Sequence, residues 1–331
     1  MASIRQSNIE LCRIISILMV MLVHTGFQSL GWETASWGVM LLEAFTIIGV
    51  NVFVLITGYF STEPKKISLI NLVFLCFFWM VIKVVIRYAL GQHIGLKNFF
   101  FITNSNWFIP SYICLLFLAP ILNVFCNTVN KNVLRGSVIA LLLMEIWFDL
   151  LPPHPAMPLG SQHGYSVLSF VILYLLARYI RLYGVSGWFR RWSFSIYLTC
   201  TFLLVLFAFA FLKTGHPFKN VYAYSNPVVV VSSVCFMLTF EKMKMGENRL
   251  INHIAKSTLA VLFGHTAIFF LFKKQFHYIY FNFTGIRLAC YWALSIIIVF
   301  CASIAIDQLR LLMWRPIEKH LRKRIKKNEL F

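Results

Sequence analysis

The chain has 331 residues, of which 60% are hydrophobic and only 12% charged, and its mean hydropathy is +0.77. That composition excludes an ordinary soluble enzyme and points to a polytopic membrane protein. The formal charge of +19 does not point to nucleic acid. The basic residues lie between apolar runs, where membrane topology and anionic lipid account for them.

Apolar runs long enough to cross a bilayer recur along the whole chain. Ten spans are predicted, running roughly 9–30, 37–60, 67–90, 108–126, 134–151, 166–183, 194–213, 226–241, 257–273 and 286–310. The expected fold is therefore all-α, a polytopic helical membrane bundle of about ten transmembrane helices. It forms one domain over residues 1–331, with a basic tail over 311–331. An even span count puts both termini on one side. With that side cytoplasmic, 22 of the 30 Lys and Arg residues face inward and 8 face outward, the bias expected of a correct orientation. No cleavable signal peptide is expected, since the first segment is too long for one.

The first span reads ELCRIISILMVMLVH from Glu10 to His24. Eleven helical steps of 100° bring His24 back to within about 20° of Arg13, roughly 16 Å further along the axis. Glu10, three residues before Arg13, shares that stripe. Ionisable groups inside a membrane are costly and mark function by default. The structural alternative is an interfacial Glu10–Arg13 ion pair, with His24 at the far water boundary.

The second span ends GVNVFVLITGYF, with Asn51 and Thr57 as polar groups in an apolar run. Gly49 and Gly58 permit close helix approach. Glu43, in the outer half, reads as a structural carboxylate pairing with Lys83 or Arg87. Lys65 and Lys66 follow at the cytoplasmic turn. They either set topology or hold a phosphate-bearing ligand. Trp107 and Phe108 read as an interfacial aromatic anchor. Pro110 suits the first turn of the next helix, and Pro120 is expected to kink or end it.

In the fifth span Glu145 and Asp149 are four apart and share a face. The loop LPPHPAMPLGSQHGY follows on the outside, without Lys or Arg. Carboxylates beside polar and aromatic groups suit a sugar hydroxyl surface; an ordinary proline-rich turn is the other reading. His265 lies within the ninth span, lining the same cavity as His24 or packed in the core. Asp307 is expected to pair with Arg310. The basic tail reads as an amphipathic helix on the inner leaflet. The eight cysteines all fall in or beside apolar spans and form no C-x-x-C pair. They read as small buried hydrophobes, with no metal site and no disulfide framework. No phosphate-binding, dinucleotide-binding, nucleophile-elbow or zincin motif is present.

Together these pieces resemble the acyltransferase 3 family of bacterial membrane O-acyltransferases, over essentially the whole chain. Glu10, Arg13 and His24 match the family's acid, Arg three later and His eleven after that. Val52 to Tyr59 resembles its F-F-V-x-S-G-Y run, with Thr57 in place of Ser. Trp107, Phe108, Tyr112, Pro120 and Leu122 resemble a W-F-x-x-x-Y…P-x-L run, and Ser257 to His265 a late S-x-x-x-Y-L-x-H. Asn51 stands where many members have Asp, and the Arg-x-x-Arg of some members' first cytoplasmic loop is absent.

The resemblance implies a multi-pass protein of the bacterial cytoplasmic membrane. It implies a cytoplasmic acyl-CoA donor, acetyl-CoA above all, used as a substrate with no permanently bound cofactor. The acceptor it implies is a hydroxyl of a lipid-linked or cell-surface glycan, as in polysaccharide O-acetylation. The expected partners are then bilayer, glycan and acyl-CoA, and not nucleic acid. His24 is the expected general base, oriented with Glu10 and Arg13. Arg13, Lys65 and Lys66 are the expected donor-binding cations. Asn51, Thr57, Trp107, His265, Glu145 and Asp149 are the expected acceptor-binding groups. The second reading is a proton-coupled transporter or flippase for a glycan or small anion, using the same intramembrane Glu, Arg and His.

Overall fold

The computed structural model describes residues 6–26, 36–100, 107–150, 162–215 and 218–328. Among them there is no strand, and thirteen α-helices carry the chain. All ten expected spans are present as helices. The first part of the outer loop, residues 151–161, lies outside the described residues, as do residues 27–30 at the end of the first expected span.

The helices are α1 (Ser7–Thr25), α2 (Trp37–Thr46), α3 (Gly49–Tyr59), α4 (Lys66–Ala89), α5 (Phe108–Thr128), α6 (Lys131–Leu150) and α7 (Val167–Tyr183). They continue with α8 (Gly187–Arg191), α9 (Ser193–Lys213), α10 (Pro227–Glu241), α11 (Arg249–Ala255), α12 (Thr258–Asn282) and α13 (Gly285–Asn328). Among the described residues, seven helices or joined helices are long and apolar enough to cross a membrane. The two halves of α12 make an eighth span if counted together. The other two expected spans are α6, which carries Lys131, Arg135, Glu145 and Asp149, and the 17-residue α7. The chain is thus a multi-pass helical membrane protein.

Contacts divide the chain into two compact units, Met1–Thr62 with Ser111–Ala255, and Glu63–Pro110 with Lys256–Phe331. In the first, α3 is the centre, and all eleven of its residues are buried. Helices α1, α7 and α10 pack around it. Two glycines explain the closeness. A Cβ at Gly49 would lie 2.6 Å from the Ser16 carbonyl oxygen of α1, and one at Gly58 would lie 2.6 Å from the Tyr174 carbonyl oxygen of α7. Without side chains there, helix backbones can touch, which is how membrane helices gain packing when apolar burial offers little. Helix α11 packs on α1, α2 on α1 and α9, and α6 on α7. A small apolar cluster of Cys126, Leu134, Val138 and Leu175 joins α5, α6 and α7.

In the second unit α4 packs on α12 and α13. Trp79 of α4 is fully buried. Arg310 donates to Asp307 at 2.5 Å, the expected pair, and also to Asn71 of α4 at 2.7 Å. The charge pair is thereby tied across two helices.

Two expectations need adjustment. Pro120 does not end α5, which runs on to Thr128. Proline is tolerated inside membrane helices because neighbouring groups re-satisfy the freed carbonyl. Five cysteines are buried, but Cys114, Cys290 and Cys301 are exposed on helix surfaces. In a bilayer such surfaces face lipid, where a thiol is as acceptable as in a core.

Candidate active site

Helix α1 is unbroken from Ser7 to Thr25, so Glu10, Arg13 and His24 sit on one rod. Arg13 Nη1 donates to Glu10 at 2.8 Å. Glu10 is buried and Arg13 half-buried, which makes this charge-assisted bond stronger than a surface pair. At the other end, His24 Nδ1 lies 2.7 Å from the Val20 carbonyl oxygen. A carbonyl only accepts, so Nδ1 carries the proton of the neutral ring and Nε2 carries the lone pair. The basic nitrogen of the ring is then Nε2.

Helix α3 supplies two more groups. Thr57 Oγ1 donates to the Phe53 carbonyl at 3.0 Å and lies 3.2 Å from the Tyr112 hydroxyl of α5. Thr57 and Tyr112 come from two separate motifs, and the fold joins them. Asn51 Nδ2 donates to the Tyr224 carbonyl at 2.9 Å. Its Oδ1 is buried without a hydrogen-bond partner among the described residues. Asn51 is thus poised to accept rather than to donate.

Around the C-terminal end of α1 lies a cluster that the sequence did not announce. Glu43 of α2 is buried, and Tyr165, Tyr222 and Tyr224 all lie within electrostatic reach of its carboxylate. The Tyr165 and Tyr224 rings are 4.9 Å apart. Tyr224 N–H donates to the His163 carbonyl at 3.0 Å, and Tyr222 donates to the Met40 carbonyl at 3.1 Å. Burial, and after it the Glu43 charge, push the Tyr165 phenol above its ordinary range. Tyrosines at a span boundary read as interfacial anchors, so they carried no separate signal. Glu43 did carry one, as a lone carboxylate in an apolar run. The partners expected for it, Lys83 and Arg87, belong to the other unit.

A second polar region forms at the N-terminal end of α1. Tyr59 donates to Glu241 at 3.2 Å, and Arg190 donates to the same carboxylate at 2.9 Å. The Arg181 guanidinium lies 4.9 Å from the centre of the Tyr59 ring, within cation–π range. Beside them opens a cavity of about 360 Å³, lined in part by Gln6, Asn8, Tyr59, Arg181, Glu241 and Lys244. Arg181, Arg190 and Lys244 read in sequence only as topology charges.

The remaining expected groups are dispersed. Glu145 of α6 is buried and accepts from Ser169 of α7, which ties it into helix packing. Asp149 lies one turn further along α6. Lys65, Lys66, Trp107 and His265 all belong to the second unit. Lys65 caps the start of α4, and both lysines are exposed. Trp107 stands edge-on to Phe108. His265 is fully buried, with Nδ1 2.9 Å from the Val261 carbonyl and its ring edge-on to Phe269. It repeats the tautomer-fixing contact of His24.

The chain is thus a multi-pass helical bundle with an acid–arginine pair and a histidine on its first helix. The chain matches the acyltransferase domain family of the acyltransferase 3 type over residues 6–308, and it belongs to that family. No curated relative and no solved structure matches it.

Proposed function

We propose that the protein moves an acyl group, acetyl in the first instance, from acyl-CoA to a hydroxyl of a lipid-linked or cell-surface glycan. The observation that carries this reading is the His24 tautomer on the same helix as the Glu10–Arg13 pair. Nε2 of His24 takes the proton of the acceptor hydroxyl as that oxygen attacks the thioester carbonyl. The new C–O bond forms, the C–S bond breaks, and the thiolate leaves with a proton returned from the imidazolium. A thioester is already activated, so base catalysis of the hydroxyl is the main requirement.

The donor binds at the N-terminal end of α1, on the cytoplasmic side by the charge bias. Arg13, held by Glu10, meets the donor. The cavity beside Arg181 and Lys244 supports a place for part of the donor at the same end. Asn51, Thr57, Glu145 and Asp149 are the candidate acceptor contacts.

The test is release of free CoA thiol by purified protein in nanodiscs. Acetyl-CoA is supplied with and without a membrane glycan fraction. The reading expects thiol release that the glycan stimulates, with label from the acetyl group in the glycan. A transporter would release none, and that result would remove the transferase reading.

A further inference from the structure

Glu43 is 3% exposed, and its Oε2 has no hydrogen-bond partner among the described residues. Asn51 is 1% exposed, and its Oδ1 is likewise without one. Buried acceptors left unpaired are costly, and a native structure keeps few of them without a reason. Two of them face one segment. Asn51 is bonded to the Tyr224 backbone, and the Tyr224 ring lies within electrostatic reach of Glu43. The place is also next to the candidate base. A Cβ built on Gly26, two residues after His24, would come within 3.1 Å of Glu43 Oε2. Gly26 has φ −79° and ψ −128°, outside the regions that residues with a Cβ favour, so its backbone as well as the nearby carboxylate calls for glycine.

Two acceptor atoms that lack donors are complemented only by a ligand rich in donors. Aromatic rings alongside suit the apolar face of a sugar. We propose that Glu43 Oε2 and Asn51 Oδ1 form the subsite that takes hydroxyls of a neutral polyol acceptor. This rests on the acyltransferase reading, and it assigns Glu43 a substrate contact in place of a structural ion pair. With two hydroxyls held there, a third is presented to His24.

The test uses membranes bearing wild type, Glu43→Leu, Glu43→Gln or Gly26→Ala, supplied with labelled acetyl-CoA and the host's own membrane glycans. Label in glycan is measured beside thermal stability of the purified proteins. Charge-assisted contacts of this kind are lost at a cost of about 10- to 100-fold in acceptor use. Both Glu43 variants should show that loss in glycan labelling at matched expression. Glu43→Leu should melt no lower than wild type, because it removes an unpaired buried carboxylate. Gly26→Ala leaves the carboxylate in place, and its melting temperature separates backbone strain from crowding at the carboxylate.

If both Glu43 variants label glycan like wild type, the subsite is wrong and the transferase reading stands. If both Glu43 variants melt lower than wild type, Glu43 is structural and the proposal falls. Label resistant to mild alkali would mean an amide on an amine acceptor and would overturn the polyol class. If wild type itself labels nothing, the transferase reading falls first and the acceptor subsite with it.

Discussion

At the N-terminal end of α1, Arg13 meets Glu10 at 2.8 Å, and Glu241 takes both Tyr59 and Arg190. At the C-terminal end, Glu43 and Asn51 each keep a buried oxygen with no hydrogen-bond partner among the described residues. At the first end each carboxylate has an arginine on one oxygen, although Glu241 Oε2 also lacks a partner among the described residues. At the other, the oxygens without partners belong to Glu43 and to the neutral amide of Asn51. A charged, phosphate-bearing donor suits the first, because exposed guanidinium and ammonium groups can exchange partners as it arrives. A neutral hydroxylated acceptor suits the second. On the proposed reading the donor and the acceptor meet opposite ends of one helix, and His24 stands at the acceptor end.

The comparison can be broken at several points. The largest effect is expected where α3 meets α1. Gly49→Leu would drive a side chain into the Ser16 carbonyl, 2.6 Å from the ideal Cβ. A loss of about 3 kcal/mol or more in stability is expected, since overpacking against backbone cannot relax. Yield of folded protein after detergent extraction reads it, and a normal yield would mean that α1 and α3 do not touch as described.

Next comes Arg13→Ala. It removes the Arg13 partner of the buried Glu10 carboxylate and should cost about 2 kcal/mol, less than for a fully buried pair because Arg13 is half-exposed. Thermal melting in detergent checks this, and Glu10→Gln with Arg13→Ala should recover part of the loss. Glu43→Leu, at the other end, should not lower the melting temperature at all. If the two ends respond alike, the contrast between paired and unpaired groups is wrong.

Asp307→Asn tests whether paired charges matter in the second unit, where Arg310 also holds Asn71. Breaking a fully buried pair costs about 3–5 kcal/mol in favourable cases. The retained bond to Asn71 and the neutral amide should limit it to about half that. Glu318→Ala sits at the bottom of the scale. Its partner Arg322 is exposed, so a change within about 0.5 kcal/mol is expected. A larger change would mean that the α13 extension docks on something.

Much of this was legible in the sequence because membrane helices advertise themselves. Apolar length gave the spans, and helical spacing put Glu10, Arg13 and His24 on one stripe. Thr57 and Tyr112, from two separate motifs, meet only in the fold. What sequence could not supply was long-range pairing. Asn51 reads in sequence only as a polar group in an apolar run, and its nitrogen is taken by the Tyr224 carbonyl, 173 residues away. Glu145 accepts from Ser169 of α7, a pairing that no spacing within α6 announces. Glu43 looked like half of an ion pair because a lone membrane carboxylate normally demands one. The Tyr59–Arg181–Glu241 cluster gathers residues from three distant helices, so no window of sequence contains it.

The central claim is that His24 activates the acceptor. Membranes with wild type, His24→Ala or His24→Gln, matched for expression, are supplied with labelled acetyl-CoA, and label in glycan is counted. Removing a general base costs about 10²- to 10⁴-fold, so both variants should fall at least 100-fold below wild type. Transfer by His24→Ala at the wild-type rate would contradict the account, and His265, with the same fixed tautomer, would become the residue to test.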